Sequence, residues 1–328
     1  MSSHPLEFSE DLQDTSPATR IGLSGAGVTR SAKAIRLAFG GGEHYMDATV
    51  ECVVDLDPDQ KGVHMSRFEE EVNEAIDTVL IGEAVAIEAL AEHIAQRVVE
   101  RQGAVRGMAT IRARYPVEKR TPVTDVATQE MYGLIGMAAA RVGSSRRAVG
   151  VSAQGMNACP CAQGLVREQA EAALAADGFS PDEITRIVAR VPIATHNQRA
   201  RGTLMVGTPD GADVPADALI EIVEDGMSSE IYELLKRPDE LYVVDKAHRR
   251  PRFVEDSVRE MIAGVIARFP ALPDGSFVSA HQENYETIHT HDVEAVRHGL
   301  LGEMRAEVAG GAHAHRHLTL PEWLDGPS

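Results

Sequence analysis

Two cysteines separated by a single proline are the strongest chemical feature of this sequence. Cys159 and Cys161 flank Pro160 directly after a predicted strand. Thiols this close cannot form a disulfide with each other without severe strain. An isolated cysteine is usually a small buried hydrophobic residue, and Cys52, inside an alternating strand, is expected to be one. The paired thiols favour a metal-binding or catalytic role instead.

Histidines and carboxylates recur in three further polar segments. His196 follows a predicted strand and stands among groups that donate hydrogen bonds. His289 and His291 follow another strand and share one of its faces if that strand continues. Glu240 lies in a charged segment that ends a helix, in our interpretation, before a strand beginning at Leu241. Taken singly, each segment also fits an ordinary structural histidine or a solvated turn.

The combination of these segments is more informative than any one of them. Together they supply thiolate, imidazole and carboxylate, a ligand set that suits zinc or ferrous iron. Such an ion lowers the pKa of bound water and generates hydroxide at neutral pH. The sequence therefore predicts metal-assisted hydrolysis.

The composition excludes several classes of protein. With 328 residues, 43% of them hydrophobic, the chain can bury a large core, and its length indicates about two domains. A net charge of −18 argues against a nucleic-acid surface, so an anionic ligand would need a local pocket lined by arginine. The polar N-terminus and the lack of a long apolar run indicate neither export nor membrane insertion. Three cysteines without a disulfide pattern favour a reducing cytoplasm.

Strands and helices mix in both halves of the chain. Alternation predicts strands over residues 44–56, 105–117, 130–142, 147–154, 184–193, 202–207 and 276–283. Helical spacing predicts helices over residues 66–80, 85–102, 216–235, 253–269 and 291–308, and an Ala- and Glu-rich helix after Gly164. Ser66 and Glu69 form an expected capping box, Gly82 interrupts the first helical stretch, and residues 40–42 make a glycine joint. Without regular β-α alternation, this pattern favours two α+β domains with antiparallel sheets.

Six motifs occur in an order that resembles the GTP cyclohydrolase IB family. They occupy residues 61–68, 159–161, 196–199, 236–240, 253–256 and 283–291. The resemblance extends from about Arg20 to Val308, and six ordered motifs are far more specific than one. It implies an α+β tunnelling fold with two tandem antiparallel-sheet-plus-helix modules per chain.

The resemblance also implies an organisation for the chain. An N-terminal arm spans residues 1–20, the first module 21–150, the second module 151–310 and a C-terminal tail 311–328. The second module carries most of the metal-site motifs. Chains of this family form homo-oligomers, typically tetramers, with active sites at subunit interfaces.

A specific reaction follows from the same resemblance. The family opens the imidazole ring of GTP at C8, releases formate and forms a 7,8-dihydroneopterin phosphate for folate or methanopterin synthesis. One divalent metal per site is implied, Fe²⁺, Zn²⁺ or Mn²⁺, and no redox cofactor. Residues 159–163 and 195–199 resemble the archaeal branch, which makes a 2′,3′-cyclic phosphate. The N-terminal half resembles the bacterial branch, which makes the triphosphate, so both products stay open.

Motif positions imply roles for individual residues. Cys159, Glu240 and His289 match metal ligands, and Cys159 and His196 match catalytic positions. His196 either ligates the metal or protonates the purine nitrogen. Glu255 matches the acid that accepts hydrogen bonds from the N1–H and amine of guanine.

Further candidates have weaker support. Charge and motif position alone suggest residues for the triphosphate, namely Arg67 and Arg199, then Lys119 and Arg120. Three more residues share the motifs without an assigned role, namely Cys161, His291 and His64.

Two alternative functions remain at this stage. One is another tunnelling-fold enzyme, a nitrile reductase with a cysteine nucleophile and NADPH. The other is a non-enzymatic metal-binding or pterin-binding assembly protein. The two thiols and the histidine motif suit a metal better than the nitrile reductase chemistry.

Overall fold

A computed structural model describes residues 12–39, 42–81 and 86–326. The expected interruption at Gly82 and most of the glycine joint at 40–42 lie outside these residues. The chain divides into two compact units. The first comprises the described residues within Met1–Ala113, Ile135–Ala148 and Leu324–Ser328, and the second comprises Arg114–Leu134 and Val149–Trp323.

The first unit is built on antiparallel strands and two helices. Strand β1 (Leu23–Phe39) pairs with β2 (Gly42–Leu56), and β2 pairs with β3 (Arg106–Arg120). Two α-helices, α1 (Met65–Ile81) and α2 (Ile87–Gln102), follow β2. The predicted strand 44–56 and both predicted helices are confirmed. A short 3₁₀ helix at Leu12–Asp14 lies within the predicted N-terminal arm.

Strand β1 was not predicted because its alternation is interrupted. Its register against β2 shifts between Leu23 and Ala26 and again between Val28 and Ser31. Within the second irregularity Arg30 has a φ of 56°, the left-handed region that few residues other than glycine adopt. Each shift exchanges the two faces of the strand, so no period of two extends along the whole segment.

Cys52 is a core residue of the first unit, as expected. It lies in β2 with none of its surface exposed, and its neighbours Val50 and Val54 point the same way. Burial raises the pKa of the Cys52 thiol to about 12, because the thiolate would lose its hydration. The thiol is therefore neither a nucleophile nor a ready metal ligand.

The expected capping box at Ser66 and Glu69 is wrong. Helix α1 already begins at Met65, so Ser66 lies inside its first turn. The Glu69 carboxylate accepts a hydrogen bond of 2.7 Å from the Lys33 ammonium on β1. A charged partner on a neighbouring strand has replaced the local backbone partner.

The second unit holds most of the remaining elements. Strands β4 (Ala127–Arg141) and β5 (Ser144–Ala158), like β3, contribute residues to both units. The further strands are β6 (Asn197–Gly207), β7 (Ser229–Glu230), β8 (Phe277–Asn284) and β9 (Val293–Leu300). The further helices are α3 (Pro160–Ala176), α4 (Pro181–Arg190), α5 (Ala216–Gly226), α6 (Arg237–Arg249), α7 (Val254–Arg268), α8 (Leu301–Val308) and α9 (Leu320–Asp325). Antiparallel pairing joins β5 to β7, β6 to β8 and β8 to β9.

Helix α7 shows how the sequence pattern forms the core of this unit. Its predicted apolar stripe is confirmed, since Val254, Val258, Met261 and Val265 are all buried. The stripe packs against α5 and against β8. Its first turn is acidic and carries Glu255.

Four predictions of secondary structure in this unit are wrong, in whole or in part. The predicted helix 216–235 ends at Gly226 and is followed by β7. The predicted strand at 184–193 is mostly α4, and the strand expected from Leu241 lies inside α6. The predicted helix 291–308 is β9 followed by the short α8. Helix α4 begins with a capping box in which the Ser180 hydroxyl and the Glu183 carboxylate bond each other's backbone N–H. This local signal outweighed the apolar residues that suggested a strand.

Helix α6 begins where a helix end was expected because of Asp239. This side chain is fully buried and accepts hydrogen bonds from the N–H groups of Lys236, Val123 and Thr124, at 3.1, 2.9 and 2.9 Å. It therefore caps α6 and also fixes the turn between β3 and β4. The charged segment is a helix start rather than a solvated turn.

We expect the stability of the Asp239→Asn variant to depend less on pH than that of wild-type protein. Burial alone raises the pKa of Asp239, but hydrogen bonds from Thr124, Val123 and Lys236 hold it well below its usual range. A carboxyl whose pKa is lowered by folding stabilises the protein above its unfolded pKa of about 3.9, and this contribution is lost as the pH falls further. In thermal unfolding between about pH 6 and pH 2, wild-type protein should be more stable than the variant by a constant amount above about pH 4, and this difference should narrow as the pH falls further. Parallel curves would contradict this role for Asp239.

Candidate functional site

A pocket in the second unit brings together five of the predicted site residues. Its volume is about 260 Å³, and it opens where β5, β6 and β8 meet the start of α7. The predicted residues that line it are Cys159, His196, Glu255, His289 and His291. The structure therefore gathers groups that lie more than a hundred positions apart in the sequence.

Cys159 is presented by the change from strand to helix. Strand β5 ends at Ala158, and Cys159 is the N-cap of α3, with Pro160 as the first helical residue. Its sulfur accepts a hydrogen bond from the Ala162 N–H at 3.5 Å. Proline fits this first position because it has no N–H to satisfy there. Cys161 is exposed in the same first turn and does not line the pocket.

His196 is tied to Cys159 through the backbone. The Cys159 N–H donates to the His196 carbonyl at 3.1 Å, and the Thr195 hydroxyl donates to the Cys159 carbonyl at 2.7 Å. His196 comes just before β6 rather than after a strand, which corrects the prediction. The two reactive side chains are therefore held by a pair of hydrogen bonds between their own loops.

The loop between β8 and β9 carries the other two histidines. The strand does not continue to His289 and His291, because β8 ends at Asn284. Both histidines are exposed, and their rings stack with centroids 5.2 Å apart and planes 13° from parallel. The predicted side-by-side arrangement arises from stacking in a loop and not from strand alternation.

The remaining predicted residues do not line this pocket. Glu240 is exposed in the first turn of α6, next to the buried Asp239. Arg199 is exposed and follows Gln198 on β6, so it points to the opposite face of the strand. Arg67 and His64 belong to the first unit.

Two of the cations predicted for a triphosphate, Lys119 and Arg120, are engaged elsewhere in the second unit. Lys119 donates to both carboxylate oxygens of Glu224, each at 2.7 Å, and Arg120 pairs with Asp125 at 3.1 Å. Arg252 is the arginine among the described lining residues, and no motif of the sequence singled it out. Its guanidinium donates to the backbone carbonyl of Gly226 at 2.7 Å.

A buried polar cluster beneath the pocket joins the elements that carry the site. Asn157, at the end of β5, donates to Ser257 on α7 and to Asn284 on β8, both at 3.0 Å. The side-chain Oδ1 of Asn157 accepts from the Ser228 N–H at 2.9 Å, and the Ser228 hydroxyl accepts from the Ala158 N–H at 3.1 Å. The cluster fixes Cys159, Glu255 and the loop after β8 relative to one another.

We expect Asn157→Ala to lower the free energy of unfolding by about 2–4 kcal/mol, because it leaves buried donors and acceptors without partners. Asn157 has none of its surface exposed. Urea unfolding would measure the change. Gln169→Ala, which removes an amide side chain at an exposed position of α3, is the matched control and should cost less than about 0.5 kcal/mol. Equal losses in the two variants would show that the buried cluster stabilises the fold no more than an exposed side chain does.

Known proteins resemble this chain over most of its length. A family model described as type I GTP cyclohydrolase folE2 matches residues 10–295. The chain belongs to this family. Two relatives named GTP cyclohydrolase MptA are similar to it. The one from Methanococcus aeolicus is 39% identical, covering 91% of this chain and 99% of the relative. The one from Methanosarcina mazei is 36% identical, covering 91% of this chain and 97% of the relative.

Solved structures support the fold. A hyper-thermostable AgUricase mutant matches with a TM-score of 0.50 at 9% identity, covering 92% of this chain and 96% of that chain. The predicted α+β tunnelling fold is confirmed. The boundaries predicted at residues 20, 150 and 310 stay predictions. As a member of the folE2 family the chain is a GTP cyclohydrolase with GTP as its substrate.

The donor atoms of this family member suit a divalent ion in kind. A half-buried thiol and imidazole nitrogens line the pocket, and these are preferred ligands of zinc and ferrous iron. Among the described residues, however, no three side chains of His, Cys, Asp or Glu are grouped closely enough to hold one ion.

In the described part of the chain no helix is long and apolar enough to cross a bilayer.

Sequence reasoning assigned no role to several lining residues that the structure gives one. Gln198 forms hydrogen bonds with His196 and with Glu286, and Asn284 belongs to the buried cluster. All three lie inside the motifs at residues 196–199 and 283–291. Their role was not apparent because only the pairing of β6 with β8 makes them neighbours.

Proposed function

We propose that this chain is a metal-dependent GTP cyclohydrolase that hydrolyses guanine C8 of GTP, releases formate and forms a 7,8-dihydroneopterin phosphate. The observation that carries the proposal is the single pocket in which Cys159, His196 and Glu255 meet in a chain of this family. The family match favours this reaction over a nitrile reductase and over a non-enzymatic binding protein.

Glu255 is the residue that we propose binds the guanine base. Its carboxylate lines the pocket from the first turn of α7. Guanine presents two adjacent donors, N1–H and the exocyclic amine, and a carboxylate accepts both in a bidentate arrangement. Adenine presents an acceptor at the first of these positions, so Glu255 selects against it.

Metal binding is proposed from the chemistry of the donors and from the family resemblance. The residues that would hold the ion are Cys159, His289 and Glu240, with His196 beside it. A divalent ion bound there lowers the pKa of its water and supplies hydroxide at neutral pH. Because Glu240 is exposed outside the pocket of its own chain, we propose that the site is completed in a homo-oligomer, most simply a tetramer.

His196 and the hydrophobic residues complete the proposed chemistry. His196 is half-buried at the side of the pocket and exchanges protons with the purine or binds the metal. Phe253 and Val254 line the wall next to Glu255 and limit the access of water to the base.

Turnover of GTP by the metal-reconstituted protein tests this function. Metal-free protein would be loaded separately with Fe²⁺, Zn²⁺ or Mn²⁺ and incubated with GTP, and formate and dihydropterin fluorescence would be measured. We expect both products in equal amounts with at least one metal and neither in metal-free protein. Product mass then distinguishes a linear triphosphate from a 2′,3′-cyclic phosphate. Absence of formate with all three metals would overturn the proposal.

A further inference from the structure

A short chain of side chains runs from Glu286 through Gln198 to His196. Gln198 Nε2 lies 3.0 Å from Glu286 Oε1, and Gln198 Oε1 lies 3.1 Å from His196 Nδ1. All three residues line the pocket. Gln198 is 5% exposed, and the Glu286 side chain is 7% exposed. The arrangement is therefore largely shielded from water, which would otherwise compete for these hydrogen bonds.

The fold holds the chain in place at both ends. Gln198 is on β6, and Glu286 follows β8, which pairs with β6 up to Ala200 and Asn284. The Glu286 N–H donates to the Asp292 carboxylate at 3.0 Å, which fixes the start of the loop. Neither Gln198 nor Glu286 has a part in the proposed reaction so far.

The chemistry of the partners determines the direction of each hydrogen bond. An ionised carboxylate only accepts, so the NH₂ group of Gln198 must face Glu286. The amide oxygen of Gln198 then faces His196, and it also only accepts. His196 must therefore carry its hydrogen on Nδ1, which leaves a lone pair on Nε2. The second carboxylate oxygen of Glu286 is 3.8 Å from Nδ1, too far for a hydrogen bond.

We propose that Glu286 and Gln198 are positioning residues that act through His196. They fix the ring orientation and the Nδ1–H tautomer, so that Nε2 is a proton acceptor or a metal ligand and not a hydrogen-bond donor. This inference rests on the proposed function for its kinetic consequence. His196 was left with two roles, metal ligand or proton donor to the purine. A neutral ring in this tautomer has no hydrogen on Nε2, so it cannot donate a proton from Nε2 unless it first accepts one.

Exchanging the two side chains tests the direction of the chain. In Glu286→Gln the partner can donate as well as accept, so the orientation of Gln198 and the tautomer of His196 are no longer determined. In Gln198→Glu two carboxylates face each other. In the double variant Gln198→Glu with Glu286→Gln, the carboxylate accepts from both His196 Nδ1–H and the new amide, and the Nδ1–H tautomer is restored.

The first measurement is ¹⁵N NMR of the histidine ring nitrogens in metal-free protein labelled at histidine. The His196 signals are assigned by their loss in His196→Gln. We expect a single Nδ1–H tautomer in wild-type protein, a mixture in Glu286→Gln, and a single Nδ1–H tautomer again in the double variant. A predominant Nε2–H form in wild-type protein would overturn the proposal.

The second measurement is the kinetics of formate release. We expect kcat to fall about 10–100-fold in each single variant, the range found when residues that orient a ligand or catalytic group are changed. The KM for GTP should stay within about threefold, because binding of the base is left to Glu255, and the double variant should recover at least part of kcat. The positioning role would be contradicted by an unchanged kcat in Glu286→Gln. It would also be contradicted if the kcat of the double variant were no higher than that of the less active single variant.

Glu294→Gln is the matched control. Glu294 is on β9 and bonds to a different histidine, His281, at 3.0 Å outside the pocket. The same chemical change there should alter neither the His196 tautomer nor kcat. If wild-type protein releases no formate with any metal, the proposed function fails, while the NMR result still decides whether the chain of hydrogen bonds orients His196.

Discussion

Cys159→Ala is expected to reduce formate release from GTP by about 10³-fold, the upper end of the loss seen when a group that stabilises the transition state is removed. The thiol lies at the end of β5 and lines the pocket beside His196. In our proposal it holds the metal, so the variant should also bind less zinc or iron. Both quantities, metal content after dialysis and the rate of formate release, would be measured on the same preparation.

Cys161→Ser is the control that makes this prediction specific. Cys161 is two residues away but exposed and outside the pocket. We expect its activity to stay within about twofold of wild type, as for most exposed substitutions away from a site. If Cys159→Ala keeps full activity, or if both variants lose it equally, the mechanism assigned to Cys159 is wrong.

Glu255→Gln should have the second largest effect, a loss of about 10²–10³-fold in kcat/KM for GTP. The glutamine amide presents one acceptor oxygen and one NH₂ group where the carboxylate presents two acceptor oxygens. Its NH₂ group therefore faces one of the two donors of the base, and that donor is left unpaired. Steady-state formate release at several GTP concentrations measures this loss. Helix α7 should remain folded, because its cap is formed by Asp256 and not by Glu255.

Inosine triphosphate provides an internal control for this assignment, since it keeps N1–H but lacks the exocyclic amine. Wild-type protein should prefer GTP by at least about tenfold if the Glu255 carboxylate accepts a hydrogen bond from that amine. Glu255→Gln should narrow the preference, because the acceptor for the amine is changed. A preference for GTP that is the same in both proteins would show that another group recognises the amine.

The order of elements near the site was predictable where local patterns were strong. The alternation of residues 44–56 and the apolar stripe of α7 both correspond to observed elements. The position of Cys159 after a strand is also confirmed. These predictions succeed because the spacing of the hydrophobic residues indicates which face is buried. The burial of apolar surface is the largest favourable contribution to folding.

Local patterns failed where a polar side chain had a distant partner. Asp239 and Glu240 are adjacent acids with similar intrinsic properties, and only the contacts of Asp239 with residues 123 and 124 make it the buried one. Likewise, the turn between β3 and β4 supplies hydrogen bonds that no spacing within 236–240 reveals. Such partners are set by packing and not by sequence distance.

The chemical groups of this protein can be read from its sequence alone: a thiol at a strand end, imidazoles and carboxylates in ordered motifs, and the family that those motifs indicate. Which of these groups meet depends on the packing of the folded chain. This packing brought Cys159, His196 and Glu255 to one pocket and placed Glu240 outside the pocket of its own chain. It also gave His196 a tautomer, because the direction of a hydrogen bond depends on which acceptor the fold places across from which donor.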